Sequence, residues 1–340
     1  MMSAKWVFRM VLAALAIFSL LPWAPGKAVA LDSATYSTGW IPLPRDAGFF
    51  VARDLGWYKA AGLDIKLVRG FGGSAVAKDV AAGAIELGHA DPRSVIKLRN
   101  QGGDLKNLGV IHAKGVYAIY SLKGNGITKP KDLEGRRLGA PVGETVFVNL
   151  PALAAANNVD ITKIVHVPMS PQAMVPSLAA GKVDAITLFT ISFPIVKGAV
   201  GKHGKEPVVI PFSDFGVDVY PVGIVAREKT IREKRRLVDR FMKTSMRGLA
   251  WSVENPKGAL DIFLKSAPTT NRKVAEAIWR LTVEHLLTPE SKKLGIGHMT
   301  REKWERTLAI VKQTSKETIN VKAADLYTNE FLPKLFPKAP

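Results

Sequence analysis

Trp40-Ile-Pro-Leu-Pro-Arg-Asp-Ala-Gly-Phe-Phe-Val-Ala-Arg-Asp-Leu-Gly-Trp-Tyr-Lys-Ala-Ala-Gly-Leu-Asp-Ile-Lys-Leu67 reads as a rigid turn, a short helix and a strand. Pro42 and Pro44 make Trp40–Pro44 unsuited to a helix and able to hold an aromatic ring in place. Outward from this stretch, strand Leu63–Val68 runs into the loop Gly70-Phe-Gly-Gly-Ser74, a helix through Ala82, Gly83 and a second strand, Ala84–Ala90. The same unit recurs further on. Strand Ile164–Val167, loop Pro168-Met-Ser-Pro171, a helix through Ala180, Gly181 and strand Lys182–Phe189 follow in that order. Gly83 and Gly181 stand where a left-handed residue ends a helix.

Strand, crossover helix and parallel strand form a βαβ unit. Two such units predict two α/β domains, each with a mostly parallel sheet covered on both faces. Strands at Leu108–His112 and Tyr117–Leu122 end the first half. Arg137–Pro141 opens the second, and Val208–Pro211 and Val222–Ala226 close it. Beyond Lys229 the texture changes to amphipathic helices over Ile231–Glu254, Pro256–Ser266, Arg272–Leu287, Arg301–Lys316 and Ala323–Glu330. Too few strands remain there for a third sheet, so these helices are expected to pack back on the first domain. That makes lobe 1 discontinuous, residues 31–122 plus 224–340, with lobe 2 at 123–223. The crossings are expected near Leu122–Gly126 and Tyr220–Ile224.

The first thirty residues read as an export signal. Lys5 and Arg9 are followed by an apolar core, Met10 to Leu21, and Ala28-Val29-Ala30 offers a small-x-small cleavage site. The core is shorter than the roughly 20 residues of a membrane-spanning helix. With the signal removed after Ala30, a periplasmic protein is expected. The chain has no cysteine, which excludes disulfides, thiolate catalysis, Cys-ligated metals and a lipidated anchor. Its formal charge is +19, and removing Lys5, Arg9 and Lys27 leaves +16. The basic residues are spread along the chain, and the densest run, Arg227–Arg236, is interleaved with Glu228 and Glu233. A solvated helix face and an anionic ligand explain this charge better than nucleic acid does.

In open α/β sheets ligands sit beyond the carboxyl ends of the strands. That rule selects Trp40–Ala47, Gly72-Gly73-Ser74, His89-Ala90-Asp91, Gly143-Glu144-Thr145 and Phe189-Thr190, with Phe212–Tyr220 before a crossing strand. Gly72, Gly73 and Ser74 form either an oxygen-binding helix start or only a tight turn with a capping serine. Gly143, Glu144 and Thr145 have the same placement, and Glu144 serves a ligand or simply the first turn of its helix. Trp40, Phe189 and Tyr220 are possible aromatic walls. Asp46, Asp91 and Asp214 are possible acceptors, and Arg45 and Arg93 suit a planar oxyanion. The six histidines are scattered, with no helical metal-site spacing and no Gly-x-Ser-x-Gly elbow. No enzyme, metal or cofactor is indicated.

Trp40-x-Pro42, Ala47–Ala52, Asp54–Lys59, Gly62–Ile65, Gly83–Gly88, Pro130–Gly135 and Gly181–Ala185 together resemble the motif series of ABC-importer binding proteins for sulfonates, taurine, nitrate and thiamine precursors. The likeness covers Asp32 to Pro194; the helical C-terminus matches in texture. It implies the type II periplasmic-binding-protein fold, two lobes closing by a hinge on a small ligand, and delivery to an inner-membrane permease by a monomer. A small organic anion (sulfonate, taurine-like or aromatic carboxylate) is the expected ligand. The alternatives are a thiamine-precursor pyrimidine, a sensor module that docks on a membrane receptor and, less favoured, an exported enzyme. The pyrimidine branch often carries Trp-x-Pro-Asn-Thr-Asn-like residues where this chain has Trp40-Ile-Pro-Leu-Pro-Arg45, and related pyrimidine synthases carry a cysteine-rich motif. Both departures weigh against the pyrimidine assignment.

Overall fold

The computed structural model describes residues 30–337; the leader expected over residues 1–30 lies, but for Ala30, outside them. Two five-stranded sheets carry the fold. The first has the order β2-β1-β3-β10-β4, from Asp32–Ser37 (β1), Leu63–Val68 (β2), Leu87–Ala90 (β3), Leu105–Val110 (β4) and Gly223–Arg227 (β10). The second has the order β7-β6-β8-β5-β9. Its strands are Tyr117–Leu122 (β5), Arg137–Ala140 (β6), Val165–Pro168 (β7), Ala185–Phe189 (β8) and Pro207–Pro211 (β9). In each, one strand runs antiparallel among parallel neighbours: β10 between β3 and β4, and β5 between β8 and β9. The repeated βαβ unit is present in both, and each crossover passes over one intervening strand, β1 or β6.

Each sheet is covered on both faces. One face of the first packs Ala34, Tyr36, Leu63 and Ile224 against the helices Ala47–Asp54 and Arg235–Glu254, with Tyr36 stacked on Phe49 at 4.6 Å. The other packs Leu105 and Val225 on Val76, Ala77 and Val80 of the helix Gly73–Ala82. Phe49 therefore belongs to the core. In the second sheet, Ile119, Leu138 and Ala185 meet Val146, Leu150 and Leu153, while Tyr120 and Ile186 meet Met174, Leu178, Val196 and Val200.

Several boundaries differ from the sequence reading. β1, Asp-Ser-Ala-Thr-Tyr-Ser, carries no apolar run and was not expected; pairing with β2 on one side and β3 on the other makes it a strand. β5 pairs with β8 and β9 in the second sheet, so the first crossing lies between Val110 and Tyr117 rather than at Leu122–Gly126. All of β5 is buried, and such a strand reads alike whichever sheet receives it. The return crossing lies between Pro211 and Gly223. The C-terminal helices do not pack on the first lobe alone. Leu281 and Ile310 pack on the core of the second sheet, while Ala275 and Trp279 pack on that of the first.

The helix Arg301–Thr314 also holds the crossings. The buried Lys303 ammonium donates to Ala113 O (2.6 Å) and to both Asp218 carboxylate oxygens (3.2 and 3.4 Å), and Asp218 accepts from the Gly115 amide at 3.1 Å. Both segments between the lobes are thus tied to one side chain. Lys303→Met leaves the Ala113 carbonyl without its donor and Asp218 with the more distant Arg306 guanidinium at 3.9 Å, and should cost about 2 kcal/mol in urea unfolding.

The helices Ala47–Asp54 and Arg235–Glu254 cross at Gly48 and Gly248. A Cβ on Gly248 would stand 2.1 Å from Gly48 O, and one on Gly48 2.6 Å from the Leu249 backbone. Gly248→Ala should force the helices apart and lower stability by about 1–3 kcal/mol, read as a fall in the urea midpoint.

Candidate functional site

The two sheets face each other across a narrow cavity of about 30 Å³, room for no more than a water or two with the lobes as they stand. The first lobe supplies Gly39, Trp40, Leu43, Arg45, Gly73 and His89; the second supplies Glu144, Thr145, Leu188, Phe189 and Ser192, with Val222 from the return crossing. The lobes already touch here. The Gly73 amide donates to Thr145 Oγ1 at 3.2 Å, and Trp40 packs on the Leu188–Phe193 side of the second lobe.

Pro44-Arg45-Asp46 forms a single 3₁₀ turn, closed by Asp46 Oδ2 accepting the Leu43 amide at 3.0 Å. This turn aims Arg45 into the cavity, where its guanidinium lies 4.9 Å from the Phe189 ring centroid, a distance at which the cation is attracted by the ring face. Arg45 makes no hydrogen bond among the described residues. Its Nε is buried without a partner and lies 3.7 Å from Asp46 Oδ1. A buried guanidinium with unused donors next to an aromatic face can take an oxyanion from solvent, because such a group is costly to leave unpaired.

The surrounding titratable groups are all shifted by burial. Asp46 is pushed up to about 6, with Arg45 pulling the other way. His89, whose Nδ1 lies 3.3 Å from Thr38 O, is pushed down to about 3 by burial and by Arg45. His112, on the first crossing, is held well below its ordinary value by burial and Arg45; neither ring nitrogen has a partner. The imidazoles are therefore neutral, and Arg45 is the cation of the cavity wall.

Glu144 proves to be a helix cap. Its oxygens accept the Val146 and Phe147 amides at 2.9 and 2.8 Å, and Thr187 Oγ1 donates to it at 2.8 Å. Burial raises its pKa to about 7 despite these donors. A carboxyl whose pKa is raised on folding keeps a proton that the unfolded chain has lost. Its contribution to stability is greatest below about 4.5 and declines as pH rises to about 7. Asp46 acts in the same direction between about 4 and 6. His89 has the opposite sign: its contribution is complete above about 6.5 and is lost as pH falls towards 3. The urea midpoint should therefore fall between pH 5 and 7.5 more steeply in the wild type than in Glu144→Gln.

Of the residues selected from sequence, Trp40, Arg45, Gly73, Glu144, Thr145 and Phe189 line the cavity. Asp46 stands behind Arg45. Gly72, rather than Ser74, is the N-cap residue of its helix, with no side-chain cap; Gly72 and Ser74 sit against Gly143 beside the cavity. Asp91 caps the helix Pro92–Asn100 through the Ser94 amide, and Arg93 is buried against Thr314. Two residues are corrected. Asp214 is exposed and bonded to Ser213, and Tyr220 is buried against Trp304, its hydroxyl donating to Glu290 and accepting from the Thr300 amide. The turn Phe212–Phe215 points away from the cleft because its aromatic rings serve the second core. His89 was in a selected loop but was not singled out; Leu188 and Ser192 flank Phe189. Val222, within the expected crossing Tyr220–Ile224, was not selected for the site.

The chain belongs to the NMT1/THI5-like family, which it matches over residues 44–259. The riboflavin-binding protein RibY of Chloroflexus aurantiacus is 23% identical over 91% of this chain and 89% of its own. A formylaminopyrimidine-binding protein of Halalkalibacterium halodurans is 23% identical over 82% and 84%. Pyrimidine phosphate synthases share the likeness. Among solved structures, the alkanesulfonate-binding protein SsuA of Xanthomonas axonopodis pv. citri, bound to MOPS, superposes with a TM-score of 0.62 at 15% identity, over 88% of this chain and 98% of that one. The fold is that of the periplasmic binding proteins.

Proposed function

We propose that this chain is the extracytoplasmic solute-binding component of an ABC import system, capturing a small organic anion between its lobes and delivering it to a membrane permease. The observation that carries the anion is Arg45, buried at the cavity wall over Phe189, its Nε without a hydrogen bond and 3.7 Å from Asp46 Oδ1. Trp40, Leu43, Leu188 and Val222 offer an apolar surround for the organic part. The mature chain acts as a periplasmic monomer without nucleic acid, in keeping with its leader and dispersed basic charge. Ligand favours closure through contacts that both lobes make, since only a difference in affinity between open and closed forms shifts that equilibrium.

Binding without turnover fits the lining. The imidazole at the cavity, His89, is pushed down to about 3 by burial, too weak a base for catalysis near neutrality, and the Glu144 oxygens are engaged by the Val146 and Phe147 amides and the Thr187 hydroxyl. A second reading, a neutral planar heteroaromatic ligand, draws on the ligands named for the two relatives and on the rings of Trp40 and Phe189.

Thermal shift of the purified chain against sulfonates, aromatic acids and pyrimidines tests both. Ligand at a hundredfold above its Kd should add about 2.7 kcal/mol of stability. Arg45→Met should weaken binding of an anion at least tenfold, and Trp40→Ala should weaken it without unfolding the protein. An anion shift unchanged in Arg45→Met removes the guanidinium from the site. A shift seen with pyrimidines alone, and kept in Arg45→Met, supports the second reading.

A further inference from the structure

The helices Pro256–Ser266 and Arg272–Leu286, joined by residues 267–271, border an open hollow of about 540 Å³ beside the first core. That volume lies within the range of small-molecule sites, about 300–1,000 Å³. None of the residues that line it lines the cleft. Its floor is the edge of the first core, where Val253, Leu260 and Trp279 are buried and Val283 is partly covered. Ala277, half-buried in the wall, keeps the hollow open, because its methyl group leaves unfilled the space that a longer side chain would take.

The rim is charged. Lys273, Glu276, Arg280 and Glu284 recur every three or four residues along one face of the helix Arg272–Leu286. Lys257 joins them from the helix Pro256–Ser266. Glu276 is met by Arg272 at 3.7 Å. The side chains of Lys257, Lys273 and Arg280 make no ion pair and no hydrogen bond among the described residues. Three cations therefore stand against Glu284, which lies about 16 Å along the helix from Lys273. Aliphatic stems of lysine and arginine extend an apolar wall while their charged ends stay in water.

We propose that this hollow is a second solute site, separate from the cleft, for an amphipathic organic anion with an aromatic or branched apolar body and one sulfonate or carboxylate. Such a solute meets both surfaces at once. Its body covers the apolar floor, and its acidic group stays hydrated at the rim, where the local field is positive. A cationic solute would face three like charges. A second copy of this chain fits poorly too, since symmetric pairing would set the same three cations against their own counterparts.

The test uses the dye 8-anilinonaphthalene-1-sulfonate, with uncharged N-phenyl-1-naphthylamine as its counterpart lacking the sulfonate. Both are titrated by fluorescence into the purified chain carrying Arg45→Met, which silences the anion contact of the cleft. Saturable binding of the sulfonate is expected there. Its Kd should rise at least tenfold when Ala277→Trp fills the hollow, and at least tenfold when Lys257→Glu, Lys273→Glu and Arg280→Glu reverse the rim. The uncharged amine should respond to Ala277→Trp and not to the rim. The rim positions are exposed, so the urea midpoint of that variant should stay at the parent value. A sulfonate Kd unchanged by both sets of substitutions overturns the site. Binding in the wild type that vanishes in Arg45→Met also overturns it, and leaves the importer reading standing. Loss with Ala277→Trp but none with the reversed rim overturns the choice of an anion. A chain that dimerises through this face, is dispersed by Ala277→Trp and binds neither dye overturns the solute site in favour of a second copy.

Discussion

The two segments that join the sheets are tied to each other through the ammonium group of Lys303. It reaches from a C-terminal helix to the carbonyl of Ala113 on one crossing and to the carboxylate of Asp218 on the other. A buried cation must find such partners, because leaving it unpaired away from water is far costlier than ordering the segments around it. In the same arrangement Gly73 meets Thr145 and Arg45 lies over Phe189. The cavity is a consequence of that alignment. Neither lobe contains it alone.

The cleft chemistry then follows from burial. Arg45 stands beside groups that burial shifts: His89 and His112 lose affinity for protons, while Glu144, pushed up to about 7, and Asp46, pushed up to about 6, gain it. The sign of the wall is set less by which charged residues are present than by which of them can remain charged there. Glu144 is spent on the backbone amides of its own helix, so its carboxylate contributes position to Thr145 rather than a contact of its own to the solute.

The legible and illegible parts of the chain divide along physical lines. The βαβ units were readable because an apolar strand, a loop, an amphipathic helix and a closing glycine are local patterns, each set within about fifteen residues of chain. β1 was not readable, since Asp32–Ser37 is polar and becomes a central strand only through neighbours that follow it in the sequence. The first crossing was misplaced for the same reason: six buried residues in β5 do not say which sheet they enter. In the site, the carboxyl-end rule found Trp40, Arg45, Gly73 and Phe189. It also selected Tyr220, whose hydroxyl turned out to serve a core beside the hinge. Val222 was out of reach because it follows no strand of the pattern.

Sequence alone pointed to the class: two similar α/β units, an N-terminal stretch that reads as a leader, no cysteine, a surplus of positive charge and a motif series shared with solute-binding proteins. These are properties of composition and short-range periodicity, which survive without knowing what packs on what. Tertiary structure decided which of several arginines and aspartates face the solute. It also made a helix cap of Glu144 and a hinge tie of Lys303. Those roles depend on the approach of segments tens to hundreds of residues apart, and on the water that this approach removes. No local pattern carries either.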